Sequence, residues 1–184
     1  ESLAGSDRIT FEGEALSGTL DLVGALPNLD SDIFIDGPGA GNLTIRRGAD
    51  AMEEFRIFTV NGGTIVIEGL TLTNGLAPGT DLETEGGTTS GSRGGAMNIT
   101  STNSNVTVEN SVLRDNEANN GGAIANSGTL NVVNSAIADN LGVNGGGIIV
   151  IDGSVNVTNS TITGNSAEIG GGIFNSVANL TVTS

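Results

Sequence analysis

Four glycine-rich openings, SRGGAM, NNGGAI, VNGGGI and EIGGGI, recur along the second half of the chain at Gly94, Gly121, Gly145 and Gly170. Their starts lie 27, 24 and 25 residues apart. Self-similarity at such a period means stacked units, each burying its apolar residues against its neighbours. After each opening comes a short alternating run: Val106-Thr107-Val108, Leu130-Asn131-Val132, Val155-Asn156-Val157 and Leu180-Thr181-Val182. Alternation with a period of two sends every second side chain into a core, so these runs predict strands. The first three are followed by Asn-Ser at residues 110, 134 and 159, then by an apolar position (Leu113, Ile137, Ile162) and a second Asn (Asn116, Asn140, Asn165). No 3.6-residue apolar stripe runs through the units. Asn, Gly and β-branched residues stand where a helix wants Ala, Leu, Glu and Lys.

Short strands separated by Gly and Asn corners, about 25 residues to the unit, predict a parallel β-helix in which each unit is one coil. Gly and Asn tolerate the positive φ that sharp corners need. Asn110, Asn134 and Asn159 are therefore expected to form turns or stacked amide ladders. The first half repeats the theme with longer corners. Ile65-Val66-Ile67 and Leu70-Thr71-Leu72 align with the later strands, as do Ile33-Phe34-Ile35 and Leu43-Thr44-Ile45 one coil earlier. Ile9-Thr10-Phe11 and Leu20-Asp21-Leu22 open the first coil. The chain is thus expected to be an all-β, single-stranded parallel β-helix solenoid of about seven coils, with residues 1–184 in one domain. The stretch 76–93 breaks the period, setting the equivalent positions Ile65 and Val106 apart by 41 residues. Rich in Gly, Thr and acid, it is expected to project as a loop.

Composition narrows the partners. The chain carries 21 acidic residues against six basic ones, a formal net charge of -15. Such a surface repels phosphate backbones and anionic membranes, which argues against nucleic-acid partners and membrane insertion. The acids concentrate in residues 1–92, with 15 of them against four Arg. Cysteine is absent, which removes disulfides and thiolate metal sites. Glu1 does not begin a signal peptide, and the last unit stops at Ser184 before its Asn-Ser corner. The chain is therefore expected to be a fragment of a longer one in which more coils, a cap or a partner follows.

The segments GGAIANSGTLNVVNSAIADN and GGGIIVIDGSVNVTNSTITGN resemble the repeats of bacterial right-handed parallel β-helix surface proteins, and are similar to polymorphic outer-membrane-protein repeats. The upstream stretch ITFEGEALSGTLDLVGALPNLDSDIFIDGPGAGNLTI resembles the beginning of large secreted β-helix proteins common in cyanobacteria. This resemblance implies a right-handed helix, an extracellular or cell-surface location and a scaffold or adhesive role.

Right-handed β-helices also house carbohydrate-active enzymes, pectate lyases among them, so that alternative stays open. His, Lys, Tyr, Trp and Cys are absent, which leaves Asp, Glu, Arg, Ser and Thr as chemical groups. Asp115 and Asp139 occupy equivalent positions on successive coils and are the best geometric pair for two-carboxylate glycoside chemistry. Asn74 and Gly164 occupy the same position in flanking coils, a substitution pattern that turns prefer. Arg114 adjoins Asp115, but strand alternation is expected to point the two apart. The five Phe (Phe11, Phe34, Phe55, Phe58, Phe174) are expected mostly in the core or at the ends, with Phe58 in line with the later glycine strands. Calcium is the one cofactor considered, with candidate ligands Asp30, Asp32 and Asp36 at the first corner and Asp81, Glu83 and Glu85 in the insertion.

The expected function is a non-enzymatic structural or adhesive β-helix module of a bacterial surface or secreted protein, with no catalytic residues. Its expected partners are a polysaccharide or other cell-surface ligand and, through open coil ends, further copies of itself. The rivals are a β-helix enzyme of the pectate-lyase or glycosidase type and a self-assembling fibre subunit.

Overall fold

The computed structural model describes residues 7–11, 17–77, 79, 92–176 and 178–184. Every regular element among them is a β-strand, and every strand pairs in parallel with its counterpart one coil away. A long sheet of seven strands holds β1 (Asp7–Thr10), β3 (Ile33–Asp36), β6 (Thr64–Glu68), β9 (Asn105–Glu109), β12 (Thr129–Val133), β15 (Ser154–Thr158) and β18 (Asn179–Thr183). A corner sheet of six holds β2 (Gly18–Leu22), β4 (Leu43–Arg47), β7 (Thr71–Thr73), β10 (Val112–Arg114), β13 (Ala136–Ala138) and β16 (Thr161–Thr163). A glycine sheet of five holds β5 (Phe58–Val60), β8 (Met97–Ile99), β11 (Ile124–Asn126), β14 (Ile148–Val150) and β17 (Ile173–Asn175). The chain winds through these three walls as a β-solenoid of about six turns. Six rather than seven follows because the second and third coils, with 32 and 41 residues from Ile33 to Ile65 and from Ile65 to Val106, are longer than the repeat, so dividing the length by about 25 overcounts them.

Register is fixed by the alternation of apolar residues, since a slip by one would turn each core file out to water. Ile33, Ile65, Val106, Leu130, Val155 and Leu180 stack in one file of the long sheet, and Ile35, Ile67, Val108, Val132, Val157 and Val182 in the next. Ile45, Leu72, Leu113, Ile137 and Ile162 form the corner-sheet file. Phe58 heads the glycine-sheet file that continues through Met97, Ile124, Ile148 and Ile173, as its sequence position predicts. Most of these side chains are fully buried, each contributing about 1.5–3 kcal/mol over exposure.

Each regular coil turns through three left-handed residues. Gly69, Asn110, Asn134 and Asn159 stand between the long and corner sheets with φ of 63°, 49°, 48° and 47°. Asn74, Asp115, Asp139 and Gly164 follow the corner sheet with φ of 59°, 54°, 56° and 65°. The repeated glycine precedes the third wall, with φ of 61° to 69° at Gly94, Gly121, Gly145 and Gly170. There a β-carbon would overlap the carbonyl oxygen three residues on, Met97 for Gly94 and Ile124 for Gly121. That overlap, added to the positive φ, is why this file, alone of the three left-handed ones, is invariably glycine. For Asn110, Asn134 and Asn159 the alternative of ladder or turn thus resolves to turn.

The ladders run in other files. Asn116 Nδ2 donates to Asn140 Oδ1 at 3.0 Å, and Asn140 Nδ2 to Asn165 Oδ1 at 2.8 Å. Each of these amide oxygens also accepts a backbone N–H from the preceding coil: Gly75 at 2.9 Å, Asn116 at 3.0 Å and Asn140 at 3.0 Å. A serine file does the same, with Ser111, Ser135 and Ser160 Oγ accepting from Leu70, Ser111 and Ser135 N at 3.2, 3.1 and 3.0 Å. Buried amides and hydroxyls satisfied on both sides hold the coils in register, since any slip would leave them unpaired.

Candidate functional site

The register locates the irregular stretch more narrowly than the sequence does. Leu76 bridges Glu117 while Arg93 bridges Asn120, and Ala77 and Ser92 are fully buried within the coil. The extra residues are therefore 78–91, entering where the next coil has the single peptide bond Ala118-Asn119. Two residues at the base of this stretch carry no sequence signal of their role. Glu54 accepts the Gly79 N–H at 3.1 Å, and Arg56 Nε donates to the Arg93 carbonyl at 3.0 Å. Burial pushes the Arg56 guanidinium below its ordinary pKa, because a low-dielectric environment disfavours its charged form.

The candidate calcium ligands divide. Asp81, Glu83 and Glu85 lie outside the described residues. Of the first-corner group, Asp30 is exposed, Asp32 accepts the Thr64 N–H at 2.7 Å, and Asp36 pairs with Arg8. Among the described residues no three carboxylates gather as a metal-holding group.

Asp36 belongs instead to a rank. It pairs directly with Glu68, which pairs directly with Glu109, so three carboxylates stack on successive coils along the outer face of the long sheet. Like charges directly opposite repel. Two neighbours offset this, Arg8 on Asp36 and the Asn110 amide, which donates to Glu68 at 3.2 Å. Glu68 and Glu109 line an open trough of about 500 Å³ with Asp32, Ile33, Phe34, Thr64 and Val66. Phe34 lies on this outer face, not in the core, because Ile33 and Ile35 on either side of it take the inward positions. The Arg8 guanidinium sits 4.7 Å from its ring centroid, within cation–π range. A second shallow groove of about 480 Å³ follows the corner between long and corner sheets, past Ala40, Asn110, Val112, Asn134, Ala136 and Asn159. It presents an Asn amide at the same position in three successive coils.

Asp115 and Asp139 both occupy left-handed corners, which is why Asn74 and Gly164 can replace them. The expected separation of Arg114 from Asp115 is overturned: Arg114 Nη1 lies 2.5 Å from Asp115 Oδ2. The positive φ at Asp115 ends the strand alternation on which that expectation rested. At the next corner the Asp139 carboxylate leans over Gly164, filling the space a β-carbon would need.

One polar residue inside the core recurs too sparsely for the repeat to mark it. Asn126 is fully buried in a file that also holds Val60, Ile99, Val150 and, in the last coil, Asn175. Its Nδ2 reaches the carbonyls of Gly128 at 2.9 Å, Ser154 at 3.2 Å and Asp152 at 3.3 Å, and its Oδ1 accepts the Gly128 N–H at 3.2 Å. The side chain thus closes the turn between the glycine and long sheets. The chain matches no protein-family model, no curated protein and no solved structure.

Proposed function

We propose that the chain is a non-enzymatic structural or adhesive module of a bacterial surface or secreted protein, a rigid solenoid that presents weak, repeated contacts along its length. The observation that carries this reading is the destination of the polar repeats. The Asn116–Asn140–Asn165 and Ser111–Ser135–Ser160 files bond one coil to the next. Asp115 and Asp139, the best candidates for two-carboxylate chemistry, serve as corners. What faces outward is the trough lined by Glu68 and Glu109 and the corner groove with its Asn amide in three successive coils, while the stretch 78–91 is additional sequence outside the repeat. Many weak polar contacts on a stiff frame add through effective concentration, the mechanism of a multivalent adhesive. A cell-surface location and a polysaccharide or other surface ligand come with this proposal, from the resemblance to β-helix surface proteins.

The test pairs an activity assay with a retention assay. The chain coupled to beads is expected to be retained on polysaccharide-coated or bacterial surfaces, less so after deletion of 78–91, and to release no reducing ends or unsaturated products from acidic polysaccharides. Cleavage that disappears in Asp115→Asn or Asp139→Asn would replace this reading with the enzymatic one.

A further inference from the structure

Four Asn-Gly pairs occur in the chain, at residues 61-62, 74-75, 120-121 and 144-145. In such a pair the glycine backbone nitrogen attacks the preceding side-chain amide carbon, an approach left open by the missing β-carbon. A nitrogen whose N–H is committed to a hydrogen bond must first give that bond up. Three of the four are committed by the coil stack. Gly75 N donates to Asn116 Oδ1 at 2.9 Å, Gly121 N to the Asn144 carbonyl at 2.8 Å, and Gly145 N to the Ile169 carbonyl at 2.8 Å. Gly62 N donates to no group among the described residues. Asn61 itself is exposed, at the turn between β5 and β6, and its Oδ1 accepts a hydrogen bond from the Thr100 hydroxyl at 2.9 Å. That donor stands where negative charge gathers when the amide carbon is attacked.

We propose that Asn61-Gly62 is a site of spontaneous covalent self-modification, with water as the co-reactant. Gly62 N gives its proton to solvent and bonds to Asn61 Cγ. The Cγ–Nδ2 bond breaks, ammonia leaves, and a five-membered imide ring closes. Water then opens the ring at one of its two carbonyls, leaving aspartate or isoaspartate at position 61. The sum is amide plus water to carboxylate plus ammonium, with no change of oxidation state. The new charge arises beside a chain segment that already carries Asp30 and Asp32, with the Asp30 carbonyl 3.7 Å from where a β-carbon on Gly62 would stand. Isoaspartate also adds a methylene to the backbone where Asn61 N donates to the Leu29 carbonyl at 2.9 Å and Leu29 N to the Thr59 carbonyl at 2.8 Å. Modification therefore loosens the junction between the first two passes of the chain and leaves the later coils intact.

The experiment is peptide mapping by mass spectrometry of the full chain held in mildly alkaline buffer, native and in denaturant. In the native protein Asn61 is expected to convert at least about tenfold faster than Asn74, Asn120 and Asn144, the factor imposed by an opening cost of only about 1.4 kcal/mol at those three. In denaturant the four rates are expected to converge. Gly62→Ala, whose β-carbon meets the Asp30 carbonyl at an ordinary 3.7 Å, is expected to fold and to slow conversion at position 61 in both conditions. Native conversion led by any other Asn-Gly pair, or an Asn61 rate unchanged in Gly62→Ala, would overturn the assignment.

Discussion

The first coils and the last share one register but are joined by different chemistry. Between the early coils the side-chain links are exposed ion pairs, Arg8 with Asp36 and Arg46 with Asp21, the latter at 2.5 Å. Between the later coils they are buried ladders of Asn and Ser, each rung bonded to the next. Exposed pairs are worth about 0–1 kcal/mol and weaken with salt. Buried amides do not feel salt, and losing one partner leaves the other unsatisfied at about 1–3 kcal/mol. Backbone pairing and apolar files suffice to define the solenoid in both halves. The ladders add a demand for uniform coil length, and only the later coils meet it.

That contrast can be broken at four points. The largest effect is expected for Leu113→Ala, which empties a fully buried position at the centre of the stack and should cost about 2–5 kcal/mol in denaturant unfolding. A loss below about 1 kcal/mol would mean that the coils collapse around the gap. Next comes Asn140→Ala. It strips partners from Asn116 and Asn165 as well as its own bonds, for an expected cost of about 2–3 kcal/mol that is unchanged by salt. Asp36→Asn in the early half should cost about 1 kcal/mol or less, and its effect should vanish at high ionic strength. Hydrogen exchange of residues 33–36 with and without salt would read this directly; salt-sensitive exchange in residues 136–138 instead would reverse the comparison. The smallest effect concerns acid. The hydrogen bond from Arg46 holds the Asp21 carboxyl below its ordinary value of 3.8, so its contribution is present above that value and fades as pH falls through the lowered one. Because the pair is exposed, Asp21→Asn should flatten the acid limb of the stability curve only slightly and leave neutral pH nearly untouched.

The sequence made the walls legible and the corners only in part. Alternating residues such as Val106 and Val108 announce both strand and facing, and the glycine file fixes where each coil restarts, so Phe58 could be aligned with Met97 from spacing alone. The roles of the Asn files could not be separated in the same way. The 110, 115 and 116 files each contain one glycine (Gly69, Gly164 and Gly75), so composition marks all three as corner-like. Only the backbone angles distinguish the left-handed positions from the ladder. Phe34 and the Arg114–Asp115 contact were missed for related local reasons. Hydrophobicity alone places a large aromatic in the core although strict alternation sends it outward, and alternation does not continue across a corner. Asn126 recurs only as Asn175, with Val150 between them and Ile99 before, too sparse a pattern to mark a file. Of the outer trough, the sequence shows only that acids are abundant; stacking Asp36, Glu68 and Glu109 requires the register.

The place where 78–91 enters has a practical consequence. On either side of it the coil carries on in full register, with Leu76 still bridging Glu117 and Arg93 still bridging Asn120. The three following coils offer the same junction, closed by one peptide bond, at Ala118-Asn119, Gly142-Val143 and Ala167-Glu168. A foreign segment whose ends lie close together, spliced into any of these bonds, would leave the inter-coil bridges around it in place. The solenoid is in this respect a rack with evenly spaced ports, of which the chain uses one.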